Sequence, residues 1–498
     1  MQYQFKLKFN FTGGIISPGD LQKILHAAHL SGVKEVSFGL RQQLLIVVPN
    51  DDLIKMQELL AKTGLPFELE KNDFPNIISS YPAEEVFIGK TWLGEGVYKD
   101  IFDAFTYTPK LKINLSNNQQ SFTPLLTGNI NWVASDAPHF WHLLIRFPKT
   151  NIICEWSELV YTNDVAAVSK KMETLILADS VSNTPDATGK GLQLFEQLKK
   201  SGHFNTQPAP AKVALPAFML PYYEGFNVSN DKYWLGIYRR NEMFNVRFLL
   251  DVCQLCLQTK IGQLCSTPWK SLIIKGIDKK DRNLWDNILG KHQINVRHAA
   301  NELNFQVEDN CSEGVRLKEY LLRFLNREDV RSFGICIGIK TRQKSEVFSS
   351  ILVKRKPLIT IAGVELFYVY DILCSKDYNP NERTGTVFSK NILKVNLPEK
   401  LRSAIVSYYQ HKEKGLAQNI KQAAAKETQA TIQVEKAVHQ CPTCFTVYDE
   451  AYGDEDTNIP AGTAFEQLPE SWCCPLCETE KLHFTSIPLA HLYGAVHV

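Results

Sequence analysis

Phe38-Gly39-Leu40-Arg41-Gln42-Gln43-Leu44-Leu45-Ile46 places two apolar runs on either side of a short polar stretch, the pattern of a strand, a tight turn and a second strand. The surroundings extend this into a unit. Upstream, Phe5 to Phe11 (FKLKFNF) alternates apolar and polar residues as a half-buried strand does. Pro18, Gly19 and Asp20 then punctuate the start of a helix in which Leu21, Ile24, Leu25, Ala28 and Leu30 recur at helical spacing until Gly32. Downstream, Asp51 is placed to cap a helix carrying Leu53, Ile54, Met56, Leu59 and Leu60, which ends near Gly64. The order is strand, helix, strand, strand, helix.

The same order returns about 228 residues later, with a strand over 233–239, a helix over 244–256, strands near 261–265 and 271–275, and a helix over 278–289. Leu44, Leu45 and Ile46 fall onto Leu272, Ile273 and Ile274 almost without gaps, so a duplicated α+β module is the simplest account. Each copy is too small to stand comfortably alone, and the two are expected to pack against each other. Longer mixed segments follow each copy, with strands over 110–115 and 357–361 among them. The proline- and alanine-rich stretch 205–212 (NTQPAPAK) reads as a linker, and 415–436, rich in Ala, Gln, Lys and Glu, as a frayed helix or a tether.

A chain of 498 residues exceeds what one core serves, so several domains are expected. No apolar run reaches the ~20 residues of a membrane span, and the N-terminus lacks a secretory pattern, so a cytoplasmic protein without membrane attachment is expected. Of 12 cysteines, five crowd between Cys441 and Cys477, which suits a reducing compartment and one metal site better than a disulfide framework. Charge is unevenly spread: nine carboxylates against Lys481 alone between Cys441 and Phe484 make that stretch −8, leaving +10 elsewhere in a chain of net +2. Such complementarity steers docking. No basic stretch interleaved with aromatics suggests nucleic acid.

Cys441-Pro-Thr-Cys444 and Cys474-Pro-Leu-Cys477 are two C-x2-C pairs 29 residues apart. Four thiolates so spaced can surround one tetrahedral ion, and the spacing alone leaves iron and zinc open. The residues between and after them are Tyr448-Asp449, Gly453-Asp454, Ile459, Gly462-Thr463, Phe465, Leu468-Pro469, Trp472, Lys481 and Phe484. Along this whole module the chain resembles rubredoxin. The resemblance implies that Cys441, Cys444, Cys474 and Cys477 ligate one Fe3+/Fe2+ ion and that the aromatics pack beside it. It implies a one-electron carrier whose charge toggles with little movement. Most rubredoxins have glycine after each second knuckle cysteine, where this chain has Phe445 and Glu478. If φ stays positive there, each costs on the order of 1 kcal/mol. Cys473 reads as a small apolar residue.

The turn at Arg41-Gln42, with Gly13-Gly14 before a helix, resembles the ferredoxin-like half-domain of siroheme-dependent sulfite and nitrite reductases, which occurs twice in that family. Catalysis there requires a siroheme bridged to a [4Fe–4S] cluster on a C-x5-C and a C-x3-C pair. Here Cys336 opens a similar segment, but Arg342 stands where the second cysteine is expected. The one C-x3-C, Cys473 to Cys477, overlaps the iron site, and Trp269-Lys270 replace the second Arg-Gln pair. Siroheme and the cluster are therefore expected to be absent, and no catalytic residue is expected. Arg41, Lys340 and Arg342 are weak candidates for a retained anion site. Cys253, Cys256 and Cys265 read as core.

The expected fold class is α+β: a ferredoxin-like half-domain (1–70), a reductase-like α/β segment (71–204), a linker (205–215), a second half-domain (216–290), a degenerate second segment (291–410), a linker (411–437) and a rubredoxin domain (438–490). The expected function is one-electron transfer with a non-catalytic body that docks redox proteins, namely a reductase donor and a siroheme nitrite or sulfite reductase as acceptor. An active oxidoreductase whose body binds siroheme, flavin or another cofactor, and a zinc-stapled scaffold, are the alternatives.

Overall fold

The computed structural model describes residues 4–88, 91–148, 150–178, 187–229, 231–296, 300–342, 347–361, 364–382, 384–430, 437–450, 452–454, 457 and 459–488. The chain forms two compact units, 1–408 and 409–498. Among the described residues no helix is long and apolar enough to cross a membrane.

In the first unit the repeat is a matter of residue numbers. The strands Gln4–Phe9 and Lys232–Ile237, the helices Pro18–Leu30 and Val246–Gln258, and the strands Leu44–Pro49 and Leu272–Ile277 begin and end 228 positions apart. Leu7 pairs with Ile46 in one copy and Leu235 with Ile274 in the other. Both repeated helices are capped by their own sequence. The Ser17 hydroxyl accepts from the Asp20 N–H at 3.4 Å, ahead of Pro18, and the Asn245 side chain accepts from the N–H groups of Arg247 and Phe248 at 2.9 and 3.3 Å. The expected cap at Asp51 does not form. The helix Asn50–Ala61 begins one residue earlier, behind Pro49, and Asp51 and Asp52 lie in its first turn, where their charge faces the positive end of the helix dipole.

The copies are interlocked. Ile15–Ile16 of the first joins the sheet of the second, with Ile16 opposite Leu264, and Phe244–Asn245 of the second joins the first, with Phe244 opposite Val36. These are the same pair with the copies exchanged. The helices Pro18–Leu30 and Val246–Gln258 pack together, and Leu21, Leu25, Ile46, Leu249, Val252 and Ile274 fill one common core.

The segments after each copy also share a topology. Ile78–Ser79, Ile113–Ser116 and Ile130–Ala134 run parallel, then Phe140–Arg146 and Ile153–Tyr161 antiparallel. Phe305–Val307, Ile337–Lys340 and Ile351–Ile361 run parallel, then Val364–Ser375 and Gly385–Ile392 antiparallel. Within 205–212, Thr206–Pro208 pairs with the edge of the first of these sheets, a position that tolerates proline. The helix Leu397–Ala430 runs well into the stretch read as a tether; residues 431–436 lie outside the described residues, as do Glu455 and Asp456 of the acidic set.

At one pair of equivalent positions the copies diverge. Gly14 (φ 76°) lies so close to Gln42 that a Cβ would stand 2.7 Å from its amide nitrogen. The equivalents, Glu242 and Lys270, form a buried ion pair at 2.7 Å, and Lys318, with no exposed side-chain surface, completes a triad at 2.8 Å. Burial pushes the Glu242 carboxyl up, and the two ammonium groups outweigh it and hold it below the usual carboxylate range. Glu242→Gln leaves two buried cations facing no carboxylate oxygen on that side chain, so unfolding of the first unit in urea should become easier by about 3–5 kcal/mol at neutral pH. A carboxyl with a lowered folded pKa contributes stability above its unfolded value and loses it as pH falls. The gap between wild type and variant should therefore narrow on acidification from pH ~7 to ~4.

Candidate metal centre

The two cysteine knuckles are built alike. The Cys441 N–H donates to the Thr446 carbonyl at 2.8 Å and the Phe445 N–H to the Cys441 carbonyl at 3.0 Å. In the other knuckle the Cys474 N–H donates to the Thr479 carbonyl at 2.8 Å and the Glu478 N–H to the Cys474 carbonyl at 2.9 Å. Each turn closes on a residue of positive φ, Phe445 at 63° and Glu478 at 58°, the strain anticipated from the missing glycines. The four sulfurs converge: all lie within 4.8 Å of one another, with Cys441 and Cys477 at 3.6 Å and Cys444 and Cys474 at 3.4 Å. A sulfur tetrahedron with metal–sulfur bonds of ~2.3 Å has edges of ~3.8 Å, so the donor set suits one ion. Among the described residues no other group of three or more His, Cys, Asp or Glu offers such a cluster.

The surroundings favour thiolate at Cys441 and Cys444 and oppose it at Cys474, whose thiol burial pushes up to about 11. The Thr446 and Thr479 hydroxyls stand 3.1 Å from the sulfurs of Cys444 and Cys477. Burial pushes the Cys441 thiol up, but the backbone N–H groups of Cys444 and Thr443, with the Thr479 hydroxyl, outweigh it and bring it down to about 6. The Thr446 hydroxyl and N–H lower Cys444 as well. Sequence reading missed these threonines, although Cys-x-Thr follows the second cysteine position of both knuckles and repeats visibly. Cys473 is half-buried beside the Ser471 carbonyl at 3.6 Å, outside the four-sulfur group.

Beside the sulfurs, Tyr448, Phe465, Leu468 and Trp472 form a small core with Ile459 and Phe484 packed on it. Its polar edges are tied down: the Tyr448 hydroxyl donates to the Thr463 carbonyl at 2.8 Å, the Trp472 indole to Asp454 at 2.9 Å, and Lys481 to the Leu468 carbonyl at 2.7 Å. A three-stranded antiparallel sheet of Val447–Tyr448, Ala437–Gln440 and Thr485–Pro488 closes the module.

Four cysteines on two mirrored knuckles over an aromatic core define a small iron-binding, electron-transfer module. Residues 438–484 match the rubredoxin family model. The chain is 48% identical over 48 residues to Rubredoxin-2 of Chlorobaculum tepidum, covering 92% of that protein and 10% of this chain. It is 45% identical over 51 residues to Rubredoxin 3 of Rhodococcus erythropolis, covering 84% of that protein. Through this module the chain belongs to the rubredoxin family. Its body has the fold of a nitrite/sulfite reductase: the structure of the NirA protein of Mycobacterium tuberculosis aligns over 82% of this chain and 81% of that one, with a TM-score of 0.61 and 14% identity.

In the body, Arg41 and Arg342 line one cavity of about 260 Å3, and Lys340 is not among its lining residues. The Arg41 guanidinium donates to the carbonyls of Asn76 at 2.6 Å and Ile113 at 2.9 Å, and that of Arg342 to the carbonyls of Asp309 and Asn310 at 3.1 and 2.5 Å. Two carboxylates share the wall. Asp309 accepts from the Leu40 N–H at 3.0 Å and Gln43 at 3.2 Å, and Glu308 from the Thr341 and Arg342 N–H groups at 2.8 and 3.0 Å. Sequence reading missed both, because their partners lie more than 260 residues away or just past the end of a separate strand. Cys336 is buried with its thiol toward the Phe348 carbonyl at 2.6 Å. Cys253, Cys256 and Cys265 are core residues whose thiols burial pushes up.

Replacing Phe445 or Glu478 with glycine relieves a positive φ that a Cβ disfavours. Each variant of the iron-loaded chain should resist urea by up to about 1 kcal/mol more than wild type, read from loss of its visible absorption.

Proposed function

We propose that this protein is a one-electron carrier in which Cys441, Cys444, Cys474 and Cys477 ligate a single Fe3+/Fe2+ ion, and that its reductase-like body is non-catalytic and docks redox partners. The observation that carries the reading is the convergence of four sulfurs within 4.8 Å inside a module of rubredoxin sequence and fold. Four thiolates give ferric iron a net −1 and ferrous iron −2. One electron therefore changes the charge of a fixed tetrahedron, and neither a proton nor a substrate position is required.

The body supports the second half of the proposal. The cavity at the Arg41 turn, of about 260 Å3, is smaller than ordinary cofactor sites of ~300–1,000 Å3. Both of its guanidinium groups donate to backbone carbonyls, and Glu308 and Asp309 oppose a ligand rich in carboxylates. Cys336 is a buried thiol and Arg342 holds the position where a cluster ligand is expected. The +10 of the chain outside 441–484 favours acidic partners, and NirA-like siroheme reductases, with a flavin- or nicotinamide-dependent donor, are the class to try first.

Full-length protein produced with ample iron should contain one iron per chain and show a visible absorption that bleaches with one reducing equivalent. Cys474→Ser should abolish or strongly displace that band. Reduced chain should not turn over nitrite or sulfite. Colourless protein with one zinc would overturn the carrier, and a chlorin band or sustained turnover would overturn the non-catalytic body.

A further inference from the structure

A second cavity, of about 520 Å3, lies in the body away from the Arg41 turn and is lined by Tyr81, Glu84, Phe87, Leu93, Glu95 and Lys275. Its volume falls in the range of small-molecule sites, ~300–1,000 Å3. The first five residues come from the segment after the first half-domain. Lys275 comes from the strand Leu272–Ile277 of the second, so the interlocked copies bring the wall together.

The Lys275 ammonium donates to the carbonyls of Tyr81 at 3.0 Å and Glu84 at 3.2 Å and sits 3.8 Å above the centre of the Tyr81 ring. All three are neutral. Among the described residues no carboxylate lies within 4.0 Å of it. An ammonium has three N–H groups, and two are used. The third is not taken by a carboxylate, and the ammonium lies on the cavity wall with the Tyr81 ring against it.

Carboxyl groups stand on the same wall at greater distance. Glu84 is 4% exposed, and its Oε1 accepts from the Tyr98 hydroxyl at 2.8 Å and from Asn117 at 3.3 Å. Glu95 opens the helix Glu95–Asp103, pairs with Lys99 on the solvent side, and is close enough to Lys275 for the two charges to act on each other without touching. Phe87 and Leu93 are among the apolar residues that line the cavity. A simple anion would satisfy Lys275 and meet the carboxyls of Glu84, Glu85 and Glu95. A simple amine would satisfy the carboxyls and leave Lys275 facing it. A molecule carrying both charges a few ångströms apart suits both.

We propose that this cavity binds a free α-amino acid with an apolar side chain, its carboxylate on Lys275, its ammonium toward Glu95 and Glu84, and its side chain against Phe87 and Leu93. The inference rests on the body alone and is independent of the iron centre.

Calorimetric titration of the full-length chain with L-norleucine tests this, with hexanoate, which lacks the amino group, and pentylamine, which lacks the carboxylate, as controls. Norleucine should bind saturably at one per chain, and each control at least about tenfold more weakly, since a charge-assisted contact is lost. Lys275→Met keeps the aliphatic stem and should weaken norleucine at least about tenfold without altering the visible spectrum. Should that variant melt markedly earlier than wild type, Glu95→Gln, at the exposed start of a helix, carries the test with an expected loss of about fivefold. No saturable norleucine binding, hexanoate binding as tightly as norleucine, or affinity unchanged in the folded variant would each overturn the proposal.

Discussion

Neither half-domain can bury its apolar surface alone, and the body is arranged around how the two copies do so together. A sheet of four or five short strands covered by two helices offers too little interior to offset the conformational entropy of ordering it. Exchange of Ile15–Ile16 against Phe244–Asn245 pairs backbone groups that would otherwise remain at open edges, and the crossing of Pro18–Leu30 and Val246–Gln258 joins two small cores into one. Burial in such a core contributes at ~25 cal/mol per Å2, so joining the two small cores stabilises both copies.

This arrangement separates folding from whatever the cavities hold. The shared core draws on Leu21, Leu25, Leu249 and Val252, none of which lines the Arg41 cavity. Residues around that cavity can therefore change without unmaking the fold. The divergence at Gly14/Gln42 and Glu242/Lys270 shows how far such change reaches. At equivalent positions one copy brings a glycine against an amide, while the other buries a carboxylate between two ammonium groups. A buried triad is poor at adding net stability relative to an apolar substitute, so its worth lies in fixing one arrangement of strand, turn and the helix bearing Lys318.

What could be read from the sequence was what local spacing encodes. The 228-residue repeat followed from one apolar triplet and its flanks, and the sulfur cluster from two C-x2-C pairs with their aromatic companions. The strain at Phe445 and Glu478 followed from comparing two positions with the glycine usual there. The cap at Asp51 does not form because the helix already starts behind Pro49, which leaves Asp51 inside its first turn. The Lys275 cavity, the Glu242 triad and the Asp309 contacts were illegible for a different reason. Their partners are separated by roughly 30 to 270 residues and meet only in the folded body, and no periodicity records that.

The two units also differ in how they treat charge. In the body, the Arg41 guanidinium is held by carbonyls, and Lys270 and Lys318 share one carboxylate. In the rubredoxin module, four sulfurs are pressed together by turns whose N–H groups and threonine hydroxyls point at them. That crowding is unfavourable without a cation and strongly favourable with one, so the ion and the fold of a module this small depend on each other. The donors that stabilise thiolate before the ion arrives are the same ones that, by favouring negative charge on sulfur, favour the reduced ion over the oxidised one. Neutral hydroxyls at 3.1 Å do this without adding charge of their own, while the surrounding carboxylates act in the opposite sense through solvent and weaken with salt. The short-range donors, fixed by the two turns, would favour the reduced state of a bound iron, and the acidic surface would bear on encounter with a partner in a salt-dependent way.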